Sequence, residues 1–211
     1  MKRFAIILSS LLFFLAASAQ EKPKPLASPQ EFLERLKQET SHIQSIESDF
    51  TQEKYLDVFS EKIKSEGRFY YRQPNKIRLD YSSPFPYLMV INADRLKIVS
   101  EGKPTVINLG SNQMMKEMRE MLSACMTGNL DNFSSAYKIG YFETASLYMV
   151  KIEPLSESIK VYITGMTISL DKKDLSVQTL RLSETAKDYT EYHFTNRKHN
   201  TITSDEMFTI P

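Results

Sequence analysis

Tryptophan is absent and cysteine occurs once in 211 residues. A single thiol, Cys125, excludes an internal disulfide even in an oxidising compartment, so stability has to come from packing. It lies on the apolar side of a methionine-rich segment with no cationic activator evident beside it, which reads as a buried inert thiol rather than a reactive one. Neither sign of charge dominates. Setting Lys2 and Arg3 aside, the 27 basic and 26 acidic residues become 25 against 26. No basic stripe marks nucleic acid or an anionic membrane, and no acidic tail points to disorder. The motifs of hydrolases, zinc proteases and nucleotide-binding folds (G-x-S-x-G, H-E-x-x-H, the P-loop, G-x-G-x-x-G) are missing. The three histidines, His42, His193 and His199, have no metal-ligand spacing. Asp171 and Asp174 sit in an expected hairpin turn, where solvated carboxylates are the simpler reading. Nothing assembles a nucleophile, a base and an oxyanion site, so the sequence argues against an enzyme and against a resident metal or cofactor.

The one long apolar run is at the start. Lys2 and Arg3 precede an apolar stretch from Phe4 to about Ala17, and Ala17-Ser18-Ala19 has the small-x-small pattern of a cleavage site. The run is short for a membrane span, so residues 1–19 are expected to be a secretory signal peptide, with an uncleaved anchor as the alternative. No cysteine follows it to be acylated. Removing 19 of the 211 residues leaves 192, enough for one domain with a substantial core. Residues 20–27, with the prolines of "EKPKPLA", are expected to be a flexible lead-in, and 28–211 a single domain in an exported protein.

Ser28-Pro29-Gln30-Glu31 offers an N-cap, a proline at the first helical position and a capping-box glutamate. Phe32, Leu33, Leu36, Ile43, Ile46 and Phe50 follow at helical spacing, predicting an amphipathic helix from about Pro29 to Ile46. Strand-like segments come next: "SDFTQEKYLD", "KIKSEGRFYYRQ", "KIRLDYS" and "YLMVINADRLKIVS". After mid-chain the pattern returns in "LYMVKIEP", "IKVYITGMTISLD", "LSVQTLRLSE" and "YTEYHFTN". Turn signals separate them, and Gly67 marks a bulge or strand entry. Short connections imply antiparallel neighbours. Leu88-Met89-Val90-Ile91 and Phe69-Tyr70-Tyr71 are apolar or aromatic on both faces, so both sides of the sheet need cover. Two amphipathic helices are the only cover the pattern offers.

The second of those helices is "QMMKEMREMLSACM", residues 113–126, which holds five of the ten methionines. Met114, Met115, Met118, Met121, Leu122, Cys125 and Met126 fall on one stripe, opposite Lys116, Glu117, Arg119 and Glu120. Periodicity alone is satisfied if this helix simply packs on the sheet. Composition favours something sharper. Methionine repacks around different shapes where leucine specifies one, so the stripe suits the wall of a cavity whose apolar occupant comes and goes.

The order of these features resembles the LolA family of periplasmic lipoprotein carriers. The specific parts are "DFTQ" and "GRFYYRQPNKIRLDY"; "YLMVINADRLKIV", the mid-chain helix and the closing "FTNRKHNTITSDEMFTIP" follow in the family's order. The resemblance implies a mainly antiparallel, incompletely closed, half-open β-barrel covered by a helical lid over an apolar cavity. It also implies a monomer that takes acylated lipoproteins from an inner-membrane ABC lipoprotein-releasing transporter toward the outer membrane and an acceptor there. On that reading the cavity wall is Met114, Met115, Met118, Met121, Leu122 and Met126 from the lid, with Phe69, Tyr71, Ile77, Leu79, Leu88 and Val90 from the strands. Family members carry an arginine just before the "PN" turn that latches the lid. Here Gln73 holds that position beside Arg72, so these two are the latch candidates, and Gln73 implies a weaker latch. The alternative is an envelope sensor or scaffold that binds a lipidated ligand in the same half-barrel and regulates a partner.

Overall fold

A computed structural model describes residues 21–110 and 136–211. The expected signal peptide and the methionine segment lie outside the described residues. In chain order the elements are β1 (Lys24–Pro25), α1 (Pro29–Thr40), β2 (Ser45–Leu56), β3 (Glu61–Arg72), β4 (Lys76–Ser83), β5 (Tyr87–Asn92), β6 (Arg95–Ser100) and β7 (Lys103–Asn108). The second half contributes β8 (Tyr137–Glu143), β9 (Leu147–Pro154), α2 (Glu157–Lys160), β10 (Gly165–Asp171), β11 (Val177–Ser183) and β12 (Tyr189–His199), then a 3₁₀ turn, Glu206–Phe208.

The twelve strands of the described residues form one antiparallel sheet in the order β1-β8-β9-β10-β11-β12-β2-β3-β4-β5-β6-β7. Each half of the chain is a meander, and the long β12–β2 ladder, from Tyr189 opposite Tyr55 to His199 opposite Ile46, joins them. The terminal strands β1 and β7 are not neighbours, so the barrel is open. It is nonetheless strongly curved, because residues from both halves, such as Leu96 and Val150, belong to one buried cluster.

Register sorts the strand residues onto two faces. Phe69 lies opposite Leu79, Tyr71 opposite Ile77, Ile77 opposite Ile91 and Leu79 opposite Met89, so these share the inner face. Phe50, Phe194, Ile168 and Val150 extend that face into the second half. Val90, opposite Arg78, points outward, yet it is only 1% exposed. Its cover is the C-terminal segment. Phe208 is fully buried there, Arg78 donates to the Met207 carbonyl at 2.7 Å, and Asn92 donates to the Phe208 carbonyl at 3.1 Å. Asp205 adds ion pairs with Arg72 (3.1 Å) and Lys76 (3.2 Å). The two-faced strands are therefore covered outside by the chain's own end, where the sequence had suggested helices.

Three further expectations change. The helix stops at Thr40, and Ile46 and Phe50 belong to β2, where alternation through Ser48 puts them on the inner face. Ser28 makes no side-chain cap bond. The lead-in is partly pinned: Lys24 and Pro25 pair with Glu143 and Phe142 of β8.

Gly67 sits at a β3–β4 bulge, as its position suggested. A Cβ there would collide with the Asp80 carbonyl oxygen. On the same face the rings of Phe50 and Tyr81 meet edge-to-face at 5.0 Å across this side-chain-less position. Gly67→Ala has to push two backbones apart, and it is expected to lower the unfolding free energy by about 1–3 kcal/mol in urea titrations.

Candidate functional site

The lower end of the inner face carries a cavity of about 330 Å³ between the C-terminal end of α1 and strands β2, β3 and β12, with the β10–β11 turn at its side. Local sequence explains how the helix comes to roof it. Phe32 stacks at a tilt on Tyr148 (4.7 Å) and approaches Tyr141 (6.1 Å), while Arg35 donates to the carbonyls of Lys172 (3.0 Å) and Lys173 (2.8 Å). The link from α1 into β2 is fastened from two sides. Gln73 donates to the Ile43 carbonyl at 2.7 Å, and Asn200 accepts from the Gln44 amide (2.7 Å) and donates to the His42 carbonyl (3.1 Å).

The walls are apolar: Leu36, Ile43, Ile46, Phe69, Leu170, Leu175, Val177 and Phe194. Phe69 and Phe194 meet edge-to-face at 5.4 Å. Ser48, between them on β2, is 2% exposed and its hydroxyl has no hydrogen-bond partner among the described residues. A small side chain there leaves the space open where an apolar residue would fill it. The mouth is polar, with Glu39, His42, Asp174, Arg197 and His199. A bulge in β12 turns Arg197 toward the carbonyls of Phe194 (2.8 Å) and Val177 (3.0 Å). Hydrogen bonds from Ser176 hold the Asp174 carboxyl below the usual carboxylate range. Burial, then the charges of Arg197 and His42, push the His199 imidazole down. Asp171 and Asp174 otherwise serve the turn, accepting from the amides of Lys173 and Ser176.

Toward the upper end the same face becomes hydroxyl-rich. Tyr81 donates to Gln52 at 2.6 Å and shares a 3.1 Å contact with Tyr192, and burial raises the pKa of both phenols. The inner face can thus hold a hydrocarbon group at one end, with polar groups at the mouth to meet its attachment. Among the described residues no group of three His, Cys, Asp or Glu could hold a metal ion.

Of the strand residues picked from sequence, Phe69 lines this cavity, and Tyr71, Ile77 and Leu79 share its face. Leu88 and Val90 do not. They alternate onto the outer face, because Met89 and Ile91 are the residues in register with Leu79 and Ile77. Met114, Met115, Met118, Met121, Leu122 and Met126 lie outside the described residues. The latch candidates are occupied at the same end of the sheet: Arg72 with the Ile202 carbonyl (3.1 Å) and Asp205, Gln73 with the helix–strand link. Sequence reasoning missed Ile43 and Ile46 as cavity walls, having placed them on a helix. It also missed Ser48, Leu170 and Phe194, although "YTEYHFTN" carries the alternation that puts Tyr192 and Phe194 on one face.

The profile of the family described as "Outer membrane lipoprotein carrier protein LolA" matches residues 41–211. No curated protein matches the chain. Solved structures share its fold at low identity. An uncharacterized conserved protein from Thermus thermophilus is 12% identical, with TM-score 0.51 over 87% of this chain and 94% of its own. MucB is 12% identical, with TM-score 0.50 over 89% of this chain and 65% of its own. A putative outer membrane lipoprotein-sorting protein domain from Vibrio parahaemolyticus is 12% identical, with TM-score 0.49 over 85% and 95%.

Proposed function

Because the chain belongs to the LolA family, we propose that it is a non-catalytic periplasmic carrier that shelters the acyl chains of lipoproteins between the inner and outer membranes. The observation that carries this reading is the apolar cavity of about 330 Å³ under α1, on the inner face of an unclosed barrel. An acyl methylene out of water is worth about 0.8 kcal/mol, so a sixteen-carbon chain resists free transit by on the order of 12 kcal/mol. Sheltering half of one chain recovers roughly 6 kcal/mol before ordering costs. That is enough to capture an anchor and small enough to surrender it to a bilayer. The donor would be an inner-membrane ABC lipoprotein-releasing transporter, and the recipient an outer-membrane acceptor.

Transfer of radiolabelled lipoprotein from spheroplasts to outer-membrane vesicles tests the proposal. Protein-dependent arrival of label supports a carrier. Capture of lipoprotein with no onward transfer would instead fit a sensor or scaffold.

The methionine stripe enters the proposal as the repackable part of the wall. Replacing Met118 and Met121 together with leucine keeps the surface apolar but removes its adaptability. The double variant is expected to bind acyl probes over a narrower range of chain lengths than the parent protein. Fluorescence titration with a series of labelled fatty acids measures this, and an unchanged range would remove the methionines from the mechanism.

A further inference from the structure

Nine large hydrophobic side chains are exposed among the described residues, and strand direction gathers seven of them at one end of the barrel. That end carries the β2–β3, β4–β5 and β9–β10 connections, opposite the end where the cavity opens. Val58 and Phe59, 86% and 66% exposed, form the tip of the β2–β3 hairpin, and Ile63 follows just below. Phe85, 78% exposed, stands between Pro84 and Pro86 in the β4–β5 connection. Val161 and Tyr162 follow α2, and Leu155 precedes it.

Two of these tips are held by backbone hydrogen bonds. The Phe59 and Ser60 amides donate to the carbonyls of Leu56 (3.2 Å) and Asp57 (3.0 Å), and the Tyr162 amide donates to Ile159 (2.9 Å), itself 2% exposed. Rigid turns that project apolar side chains outward lose little conformational freedom when those side chains are buried. The tips are also separate. Each sits on its own connection with charged neighbours, so together they do not make the continuous patch a protein partner's core would need. A bilayer surface accepts separated tips, because its interior has no fixed shape to match.

Charge narrows the kind of bilayer. Four lysines of this end are paired: Lys62 with Glu53 (2.8 Å), Lys160 with Glu157 (2.7 Å), Lys187 with Asp57 (2.9 Å) and Lys54 with Glu184 (3.2 Å). Neutralised in this way, they provide no pull toward anionic lipid. Lys64 and Lys103 are also at this end, offset in number by Glu61 and Glu101. This near balance matches a zwitterionic surface, with Tyr162 suited to the headgroup level, where a ring can be buried and its hydroxyl kept wet. Among the described residues no helix is long and apolar enough to cross a membrane. Contact of this kind is peripheral.

We propose that the loop end of the barrel docks on a zwitterionic lipid bilayer by inserting Val58–Phe59, Phe85 and Val161–Tyr162. The proposal concerns contact with the membrane, not the cavity, and it is tested without cargo. The full mature chain is floated with phosphatidylcholine–phosphatidylethanolamine vesicles at low and high salt. Binding that is insensitive to salt, and that falls on the order of a hundredfold in Phe59→Ser/Phe85→Ser, is the expected result. Both positions are exposed, so the variant keeps its unfolding transition and its acyl-probe binding. Equal flotation of parent and variant overturns the proposal. So does flotation that requires anionic lipid and vanishes at high salt, or self-association of the parent chain through these residues with no vesicle binding.

Discussion

Phe208→Ala is expected to lower the unfolding free energy by about 3–5 kcal/mol, the largest effect of any single substitution considered for stability. Its ring is fully buried on the outer face of β4 and β5, beside Val90, and has nothing to collapse onto if it is removed. The surrounding polar contacts make the loss larger. Asp205 holds Arg72 and Lys76, and the carbonyls of Met207 and Phe208 satisfy Arg78 and Asn92. If the segment lifts, those donors lose their partners and an apolar stripe of sheet meets water. Urea titration followed by tyrosine fluorescence gives the number. A loss under about 1 kcal/mol would mean that the C-terminal segment decorates the sheet without sealing it.

Filling the cavity should cost binding without costing the fold. Ser48→Phe places a ring among Leu36, Phe69 and Phe194, in the space the serine leaves open. Excluding about four methylenes of a bound chain, at about 0.8 kcal/mol each, corresponds to roughly a hundredfold loss in affinity. Ser48→Ala is the control. The hydroxyl has no partner among the described residues, so removing it should leave stability equal or slightly raised and binding unchanged. Titration with a fluorescent fatty acid, alongside thermal unfolding of each variant, separates the two contributions. Parent-like affinity in a folded Ser48→Phe protein would place the acyl chain elsewhere on the inner face.

Much of this architecture was legible in the amino-acid sequence. The strand runs, their short turns, the bulge at Gly67 and the hairpin at Asp171–Asp174 are local features, set by alternation and by turn chemistry within a few residues. The end of the first helix was not legible. Ile43, Ile46 and Phe50 satisfy a helical spacing, while Ile46, Ser48 and Phe50 satisfy a strand's, and the serine hides the second pattern from a reading of apolar residues alone. The faces of β5 were ambiguous for a different reason. Leu88, Met89, Val90 and Ile91 announce that both sides need cover. Which side faces the cavity depends on register with β4, and what covers the other depends on residues more than a hundred positions away. Pairing partners at that range leave no mark on either segment by itself.

The gap between β1 and β7 has a mechanical consequence. In a sealed cylinder the girth is set by strand number and stagger, and enlarging it means breaking ladders. Here, among the described residues, eleven strand pairings run from one margin to the other, and a small change of twist at each would sum to a wide movement at the slit. The molecule could then loosen or tighten around occupants of different bulk as a spring clip does, with every backbone bond of the sheet intact.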